Sequence, residues 1–401
     1  MQPIAILAEN VHAAADPILR DAGFVIERHA GALEGEALRA AMARATVLGI
    51  RSKTSVRESA LAAGRPAAIG CFCIGTDQVD LSPASRAGIP VFNSPFSNTR
   101  SVAEMTVAEA VCLARRLFEK STLLHAGTWD KSAKDAHEVR GRTLGIVGYG
   151  HIGSQVSVLA ESMGMRVVFH DIVRKLPLGN AQPRPSLDAV LAESDIVTLH
   201  VPSTPSTERM IGAPQLARMK PGSALINNAR GSVVDLDALA ASLRSGHLSG
   251  AALDVFPQEP ASKDEPFGCS LRGLGNVILT PHIGGSTEEA QESIAIEVAE
   301  KLVRHWTSGS TASAVNFPEV DLPTLRAGQV RIMHVHRNVP GVLSTMHGHF
   351  ARESVNINAE YLQSDPHTSY VILDVDPFEG DGIVRSLAAL PETVRMRLTR
   401  A

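Results

Sequence analysis

The stretch Leu144-Gly-Ile-Val-Gly148-Tyr-Gly150-His-Ile-Gly153 carries three glycines at G-x-G-x-x-G spacing, after a β-branched run and at the opening of a helical pattern. Each glycine has its own physical use. Gly148 permits a tight turn, Gly150 lets the backbone approach a pyrophosphate at the positive end of the helix, and Gly153 lets that helix pack against the sheet. A further strand pattern ends in Asp171, 18 residues beyond Gly153, where a carboxylate accepts from both ribose hydroxyls and repels a 2′-phosphate. This favours NAD over NADP, with Arg174 and Lys175 pulling slightly the other way. A glycine turn alone also closes strand–helix units that bind nothing; strand, helix and terminal acid together argue for the nucleotide.

Three residues further on have the types that alcohol oxidation requires: Arg230 in Asn227-Asn-Ala-Arg-Gly231, Glu259 in Asp254-Val-Phe-Pro-Gln-Glu-Pro260, and His282 in Thr280-Pro-His-Ile-Gly-Gly285. Each follows the C-terminal end of a predicted strand, where open α/β sheets place their ligands. A secondary alcohol needs a base for its hydroxyl proton while hydride leaves for a nicotinamide, and histidine titrates in the useful range. Glu259 can stabilise the imidazolium, and Arg230 can hold a carboxylate and polarise the carbonyl. Taken singly, each has a structural use: a histidine after proline caps, a glutamate before proline sits in a solvated turn, an Arg-Gly closes a strand. Their joint placement is the argument for chemistry.

These residues need a scaffold, and its pattern is legible. The 401 residues predict two or three domains, and 44% hydrophobic with 20% charged residues excludes global disorder. Strand patterns at Ile4–Ala8, Val25–Glu27, Val47–Ile50, Ala67–Phe72 and Pro90–Phe92 alternate with amphipathic helices, which predicts a parallel α/β sheet. A helical stretch from Ser101 to His125 leads to a second series with six strands, at 144–148, 166–171, 195–201, 223–228, 250–255 and 276–280, a second doubly wound sheet. One long helix, roughly Thr287–Trp306, then precedes a Ser/Thr/Gly/Pro-rich linker over Thr307–Pro323. The remaining tail reads βαββαβ, with strands at Arg331–His336, Val355–Leu362, His367–Val375 and Val394–Leu398, a split ferredoxin-like unit.

Composition narrows the class. A net charge of −4 gives no general footprint for nucleic acid or an anionic membrane. Four cysteines, Cys71, Cys73, Cys112 and Cys269, are too few for a disulfide scaffold and lack zinc-site spacing, so no metal is expected and a reduced, cytoplasmic setting is. Neither a cationic leader with an apolar core nor a membrane-length apolar run is present in the sequence.

The glycine fingerprint and the three strand-end residues, together with Ile69-Gly-Cys-Phe-Cys-Ile-Gly-Thr76, Phe92-Asn-Ser-Pro-Phe-Ser-Asn-Thr-Arg-Ser-Val-Ala-Glu104, Pro281-His-Ile-Gly-Gly-Ser-Thr287 and Ala314-Val-Asn-Phe-Pro-Glu319, closely resemble the D-2-hydroxyacid dehydrogenase family over nearly the whole chain. The likeness is to members that end in an ACT domain and oxidise 3-phospho-D-glycerate at the head of serine biosynthesis. It implies a flavodoxin-like substrate domain, 1–97 and 285–326, split by a Rossmann NAD domain, 98–284, with an ACT domain at 327–401, assembled as a homotetramer through the NAD and ACT domains. It gives Arg230, Glu259 and His282 the roles argued above, with His282 as proton donor in the reducing direction. Cofactor contacts are implied at His151, Ile152, Asp171, Asn228, Ala229, Arg230, Asp254, His282, Ile283, Gly284 and Gly285, beside Gly148, Gly150 and Gly153. The sequence departs from close relatives at Asn228-Ala229, where Ala-Ser is usual, and at Asp77, where Asn is common; Asp77 reads as a solvated loop position.

A phosphorylated three-carbon acid needs cations and donors at both ends. Arg51, Ser52 and Lys53 follow a strand end, and Arg51 and Ser52 are the family's substrate positions. Asn98, near the expected domain crossover, Lys131, and the backbone around Gly75 as an anion nest complete the substrate candidates. In the tail, His336, Asn338 and Asn356 match positions that bind an L-serine effector between paired ACT domains, while Val339 stands where relatives often carry Arg. Reduction of 2-oxoglutarate is a side activity the resemblance allows. Two alternatives stay open: a dehydrogenase of an unphosphorylated acid such as glyoxylate or hydroxypyruvate, and a non-catalytic NADH-sensing protein.

Overall fold

The computed structural model describes residues 2–260 and 264–400, in two compact units: Met1–Ser97 with Gln291–Ala401, and Asn98–Ala290. In the first, strands β1 (Ile4–Leu7), β2 (Val25–Arg28), β3 (Val47–Ile50), β4 (Ala68–Cys71) and β5 (Val91–Asn93) form a parallel sheet in the order β2-β1-β3-β4-β5. This is the flavodoxin-like order. Strands β3 and β4 are buried throughout, as a sheet covered on both faces requires. The long helix Glu288–Ser308 lays Ile294, Ala295, Val298, Ala299 and Leu302 on this sheet. It comes so close to β4 that a Cβ on Gly70 would stand 2.8 Å from Val298 and 2.9 Å from Leu302.

The second unit holds β6 (Thr143–Val147), β7 (Arg166–His170), β8 (Gln182–Pro183), β9 (Ile196–Leu199), β10 (Ala224–Asn227), β11 (Gly250–Leu253) and β12 (Val277–Leu279), all parallel, in the order β12-β11-β10-β9-β6-β7-β8. The order in which successive strands are added reverses between β6 and β9, the switch point at which such sheets bind ligands. The sequence pattern gave six strands here. The seventh, β8, is a two-residue edge strand containing a proline, too short to leave a periodic signal.

The stretch expected as one helix over Ser101–His125 is two, Thr99–Arg115 and Leu117–His125. Arg116 breaks it in the left-handed region at φ 51°, where its guanidinium holds Glu119 in two hydrogen bonds. Apolar periodicity runs through the break, so it carried no sign of it.

The tail is a four-stranded antiparallel sheet of β13 (Val330–Arg337), β14 (Ile357–Ser364), β15 (Thr368–Val375) and β16 (Thr393–Arg400) in the order β14-β15-β13-β16, with helices Val342–Arg352 and Gly382–Ala388 packed on one face. This is the ferredoxin-like arrangement read from the sequence. Its other face, with Met333, Val335, Tyr370 and Ile372, packs on Phe317 and Val320. The segment read as a linker, Thr307–Pro323, is therefore an ordered strap, and that expectation is corrected. Thr311 and Val320 are fully buried, Thr311 N–H bonds the Val320 carbonyl, and the Asn316 side chain bonds Val91 N–H and the Leu81 and Ile89 carbonyls. Ser310 and Thr311 are buried hydrogen-bonding groups, not solvated ones. No helix among the described residues is long and apolar enough to cross a membrane.

Candidate active site

The glycine turn follows β6 and opens the helix His151–Ser162. Gly148 has φ +91° and its N–H bonds the His170 carbonyl; a Cβ there would meet the His200 carbonyl at 2.4 Å. A Cβ on Gly153 would stand 2.2 Å from the Gly148 carbonyl oxygen, so only glycine lets this helix seat. A Cβ on Gly150 would meet nothing within 4 Å, which leaves the helix N-terminus open to a phosphate group. Asp171 lies just past β7, and its carboxylate accepts from Tyr149 N–H at 2.8 Å and Val173 N–H at 2.9 Å. Anchored against the glycine turn, it retains lone pairs for a ribose. The open helix end and the acid beside it fit an NAD molecule; Gly150, His151 and Ile152 would face its phosphates and Asp171 its ribose.

Arg230, Glu259 and His282 follow β10, β11 and β12. His282 Nδ1 and Glu259 Oε2 are 2.8 Å apart, and Glu259 Oε1 accepts Phe256 N–H at 3.0 Å. The hydrogen bond to Glu259 raises the His282 pKa above its ordinary value against the opposing effect of burial. Burial works to raise the Glu259 carboxyl, but the bonds from His282 and Phe256 hold it below its usual range. Arg230, close enough to act on both electrostatically, bonds the Ala229 carbonyl through Nη1 at 2.8 Å and is half-buried. The structure thus gathers the three into one cluster. With Nδ1 committed to Glu259, His282 presents Nε2 for proton exchange.

Asp254 positions this loop. Its buried carboxylate accepts from Thr280 Oγ1 (2.6 Å), Ile283 N–H (2.8 Å) and Gly284 N–H (2.7 Å), bracketing His282, which sits at φ 55°. A left-handed histidine is held there by its surroundings. Gly285 lies against Asn98, whose Nδ2 would be 2.1 Å from a Cβ at that position.

The Asn228 side chain turns into the core, donating to Thr106 Oγ1 at 3.0 Å and Glu109 Oε2 at 2.7 Å. Only its backbone, with that of Ala229, remains for a cofactor. Glu109 was missed by sequence reasoning, although its signal was there: a carboxylate at helical spacing among Val102, Ala103, Thr106 and Ala110, all buried on one face.

The remaining candidates stand on other elements. In the first unit Arg51 is half-buried, Ser52 and Lys53 are exposed after β3, Gly75 is in the loop after β4, and Asp77 is exposed as expected. Lys131 is exposed in the second unit. In the tail His336 is buried beside His334, their Nδ1 atoms 3.2 Å apart, and burial lowers its pKa. Asn338 donates to the Asp365 carbonyl at 2.8 Å and Asn356 to Asn358 Oδ1 at 3.3 Å. His336 pairs with Ser369 and Val330 with Val375, the partner of Ile357, so Asn356 and His336 stand at opposite ends of the sheet. One chain does not bring the effector candidates together.

Residues 107–284 match the family model for the D-isomer specific 2-hydroxyacid dehydrogenase NAD binding domain, and 332–395 an AHAS small subunit-like ACT domain. D-3-phosphoglycerate dehydrogenase of Escherichia coli (strain K12) is 52% identical over 397 residues, covering 98% of this chain and 96% of the relative; that of Haemophilus influenzae is 50% identical over 395 residues, covering 98% and 96%. Among solved structures, D-lactate dehydrogenase from Aquifex aeolicus complexed with NAD and lactic acid superposes with a TM-score of 0.66 at 29% identity, covering 75% of this chain and 95% of that one. The chain belongs to the NAD-dependent D-isomer specific 2-hydroxyacid dehydrogenase family. Within it, the full-length likeness is to D-3-phosphoglycerate dehydrogenases, and the ACT tail is part of that likeness.

Proposed function

We infer that the protein oxidises 3-phospho-D-glycerate to 3-phosphohydroxypyruvate with NAD, the first step of serine biosynthesis. The observation that carries this is the 2.8 Å Glu259–His282 pair at the strand ends of an NAD-type sheet, in a chain 52% identical along its length to a D-3-phosphoglycerate dehydrogenase. NAD supplies the hydride acceptor. His282 takes the hydroxyl proton at Nε2, and Glu259 stabilises the resulting imidazolium. Arg230 holds the carboxylate and draws electron density from the forming carbonyl. Arg51, Ser52 and Lys53 supply the charge and donors for an anionic group, aided by Asn98, Lys131 and the Gly75 backbone.

The reading extends to a homotetramer. The helix Leu117–His125 buries none of its residues, and Leu117, Phe118, Leu124 and the 78%-exposed Trp129 are large apolar side chains that a second NAD domain would cover. L-Serine is the proposed effector. Because His336 and Asn338 lie at one end of the tail sheet and Asn356 at the other, two antiparallel tails are needed to complete such a site. A cytoplasmic setting follows from the metabolic role.

NADH oxidation measured with 3-phosphohydroxypyruvate, glyoxylate, hydroxypyruvate and 2-oxoglutarate tests the substrate assignment. The expected result is highest kcat/KM with the phosphorylated acid. A preference for glyoxylate or hydroxypyruvate would reassign the substrate, and NADH binding without turnover would make the protein a sensor.

A further inference from the structure

Two buried polar side chains in the first unit lie outside every role given so far. Glu9, just after β1, is 8% exposed, yet no cation among the described residues is paired with its carboxylate. It is ringed instead by backbone N–H groups of one turn: Arg51 at 3.1 Å and Thr54 at 2.8 Å on Oε1, and Lys53 at 2.8 Å on Oε2. The Glu9 carbonyl also accepts from Arg51 Nη1 at 3.5 Å. Glu9 and Asn10 are consecutive residues in the left-handed region, at φ 62° and 51°, a conformation non-glycine residues adopt at a cost that the surrounding contacts must offset.

Gln78, also 8% exposed, works from the opposite side. Its Nε2 donates to the Arg51 carbonyl at 2.8 Å and reaches the Gly75 carbonyl and Cys73 Sγ, each at 3.3 Å. Arg51 is therefore gripped at both ends of its backbone, and the turn after β3 is stitched to the turn after β4. A buried carboxylate that collects three N–H groups is strongly bound to them, and leaving any of them unsatisfied is costly.

We propose that Glu9 and Gln78 are positioning residues for the substrate, a clamp that fixes the Arg51 backbone, and with it the 51–54 and 73–75 turns, against each other. This rests on the reading of Arg51 and Ser52 as substrate residues. It also determines how that turn recognises an anion. The amides of Arg51, Lys53 and Thr54 are committed to Glu9, so an anionic ligand meets the side chains of Arg51, Ser52 and Lys53 in place of a backbone nest. Cationic side chains on a fixed turn select for a doubly charged group such as a phosphate monoester.

The test compares the full-length enzyme with E9Q, Q78A and R51A. The readouts are KM and kcat for 3-phosphohydroxypyruvate and NADH affinity by fluorescence, with unfolding temperature as a control. E9Q keeps the shape of Glu9 but sets an amide donor against backbone donors, and Q78A removes the other half of the clamp without touching Glu9. Each is expected to raise KM by about tenfold or more, the effect of losing one charge-assisted or bridging hydrogen bond, with kcat and NADH affinity nearly unchanged. If R51A raises KM while folded E9Q and Q78A leave it unmoved, the clamp is wrong and the site reading survives. A fall in kcat or unfolding temperature with KM unmoved also overturns the clamp. If R51A leaves KM unmoved as well, the site reading falls and the clamp with it.

Discussion

Glu109 and Asn228 meet inside the NAD-binding unit with one hydrogen bond, Asn228 Nδ2 to Glu109 Oε2 at 2.7 Å, while Glu109 Oε1 and Asn228 Oδ1 are both buried without a partner among the described residues. Two buried acceptors without a donor are costly, and a proton on Glu109 supplies one. Burial pushes the carboxyl up to about 7, against the Asn228 hydrogen bond and with help from the Asp254 charge.

This pair makes stability depend on pH in an unusual direction. An unfolded glutamate releases its proton near 4.5 and the folded one near 7, so the folded state holds more protons between those values. Stability then falls as pH rises through that window, and the loss is complete above it. E109Q carries no titrating proton and should flatten the dependence, by up to about 3 kcal/mol between the two limits. Urea unfolding at several pH values measures this; parallel curves for the two proteins would refute a protonated Glu109.

The shift at His282 bears on turnover. Its pKa is raised chiefly by the Glu259 hydrogen bond, so the acid form needed to reduce a keto acid persists to higher pH than in a free histidine. The kcat/KM for reduction should decline as pH rises through that raised value, while oxidation gains. E259Q keeps a hydrogen-bonding group but loses the charge, and should move the decline to lower pH. H282N should retain NADH affinity and lose about 10²–10⁴-fold in turnover. A pH profile unaltered by E259Q would separate the two residues.

Asp171 should govern cofactor choice. Its carboxylate is anchored by Tyr149 and Val173 N–H, so it keeps its place beside the open Gly150 edge. D171A removes the ribose acceptor and the charge that repels a 2′-phosphate, and the ratio of kcat/KM for NADH to that for NADPH should fall by tenfold or more, about what one charged hydrogen bond contributes. An unchanged ratio would assign the choice to another residue.

What the sequence made legible were features with a local signature. Gly148 and Gly153 were readable because each answers a backbone demand that no other residue meets, Gly150 because it completes their spacing, and Arg230, Glu259 and His282 because each follows a β-run at the end that binds ligands. The features it hid depend on contacts distant along the chain. Asn228 reaches Glu109 across 119 positions and Glu9 reaches Thr54 across 45, and neither spacing leaves a periodic trace. The strap over Thr307–Pro323 was misread for a related reason: small polar residues look alike whether water or Val91 and Val320 satisfy them.

The ordered strap changes how the proposed serine regulation should be tested. Arg331 is fully buried, bonds both Asp374 oxygens at 2.6 and 2.7 Å, and reaches the Ser308 and Pro323 carbonyls. Arg397 donates to the His305 and Trp306 carbonyls and lies 4.7 Å from the Trp306 ring centre, while Tyr370 Oη bonds the Gly309 carbonyl. The tail therefore supplies donors to carbonyls at the C-terminal end of the helix Glu288–Ser308, where the intrahelical ladder runs out. Deleting residues 327–401 removes these donors and uncovers Phe317 and Val320, so the truncated chain should be serine-insensitive but lower in unfolding temperature and prone to aggregate. Asn356→Ala is the better probe, since its side chain is exposed and bonds only Asn358. An effector shifts a conformational equilibrium only through its differential affinity for the two states, so losing one contact at its site weakens inhibition without altering the uninhibited enzyme. N356A should retain wild-type kcat and KM and require at least tenfold more L-serine for half-inhibition, roughly one hydrogen bond's worth of binding. Equal serine sensitivity in N356A and wild type would place the effector elsewhere, and a wild-type enzyme that ignores millimolar serine would leave the tail its capping role alone.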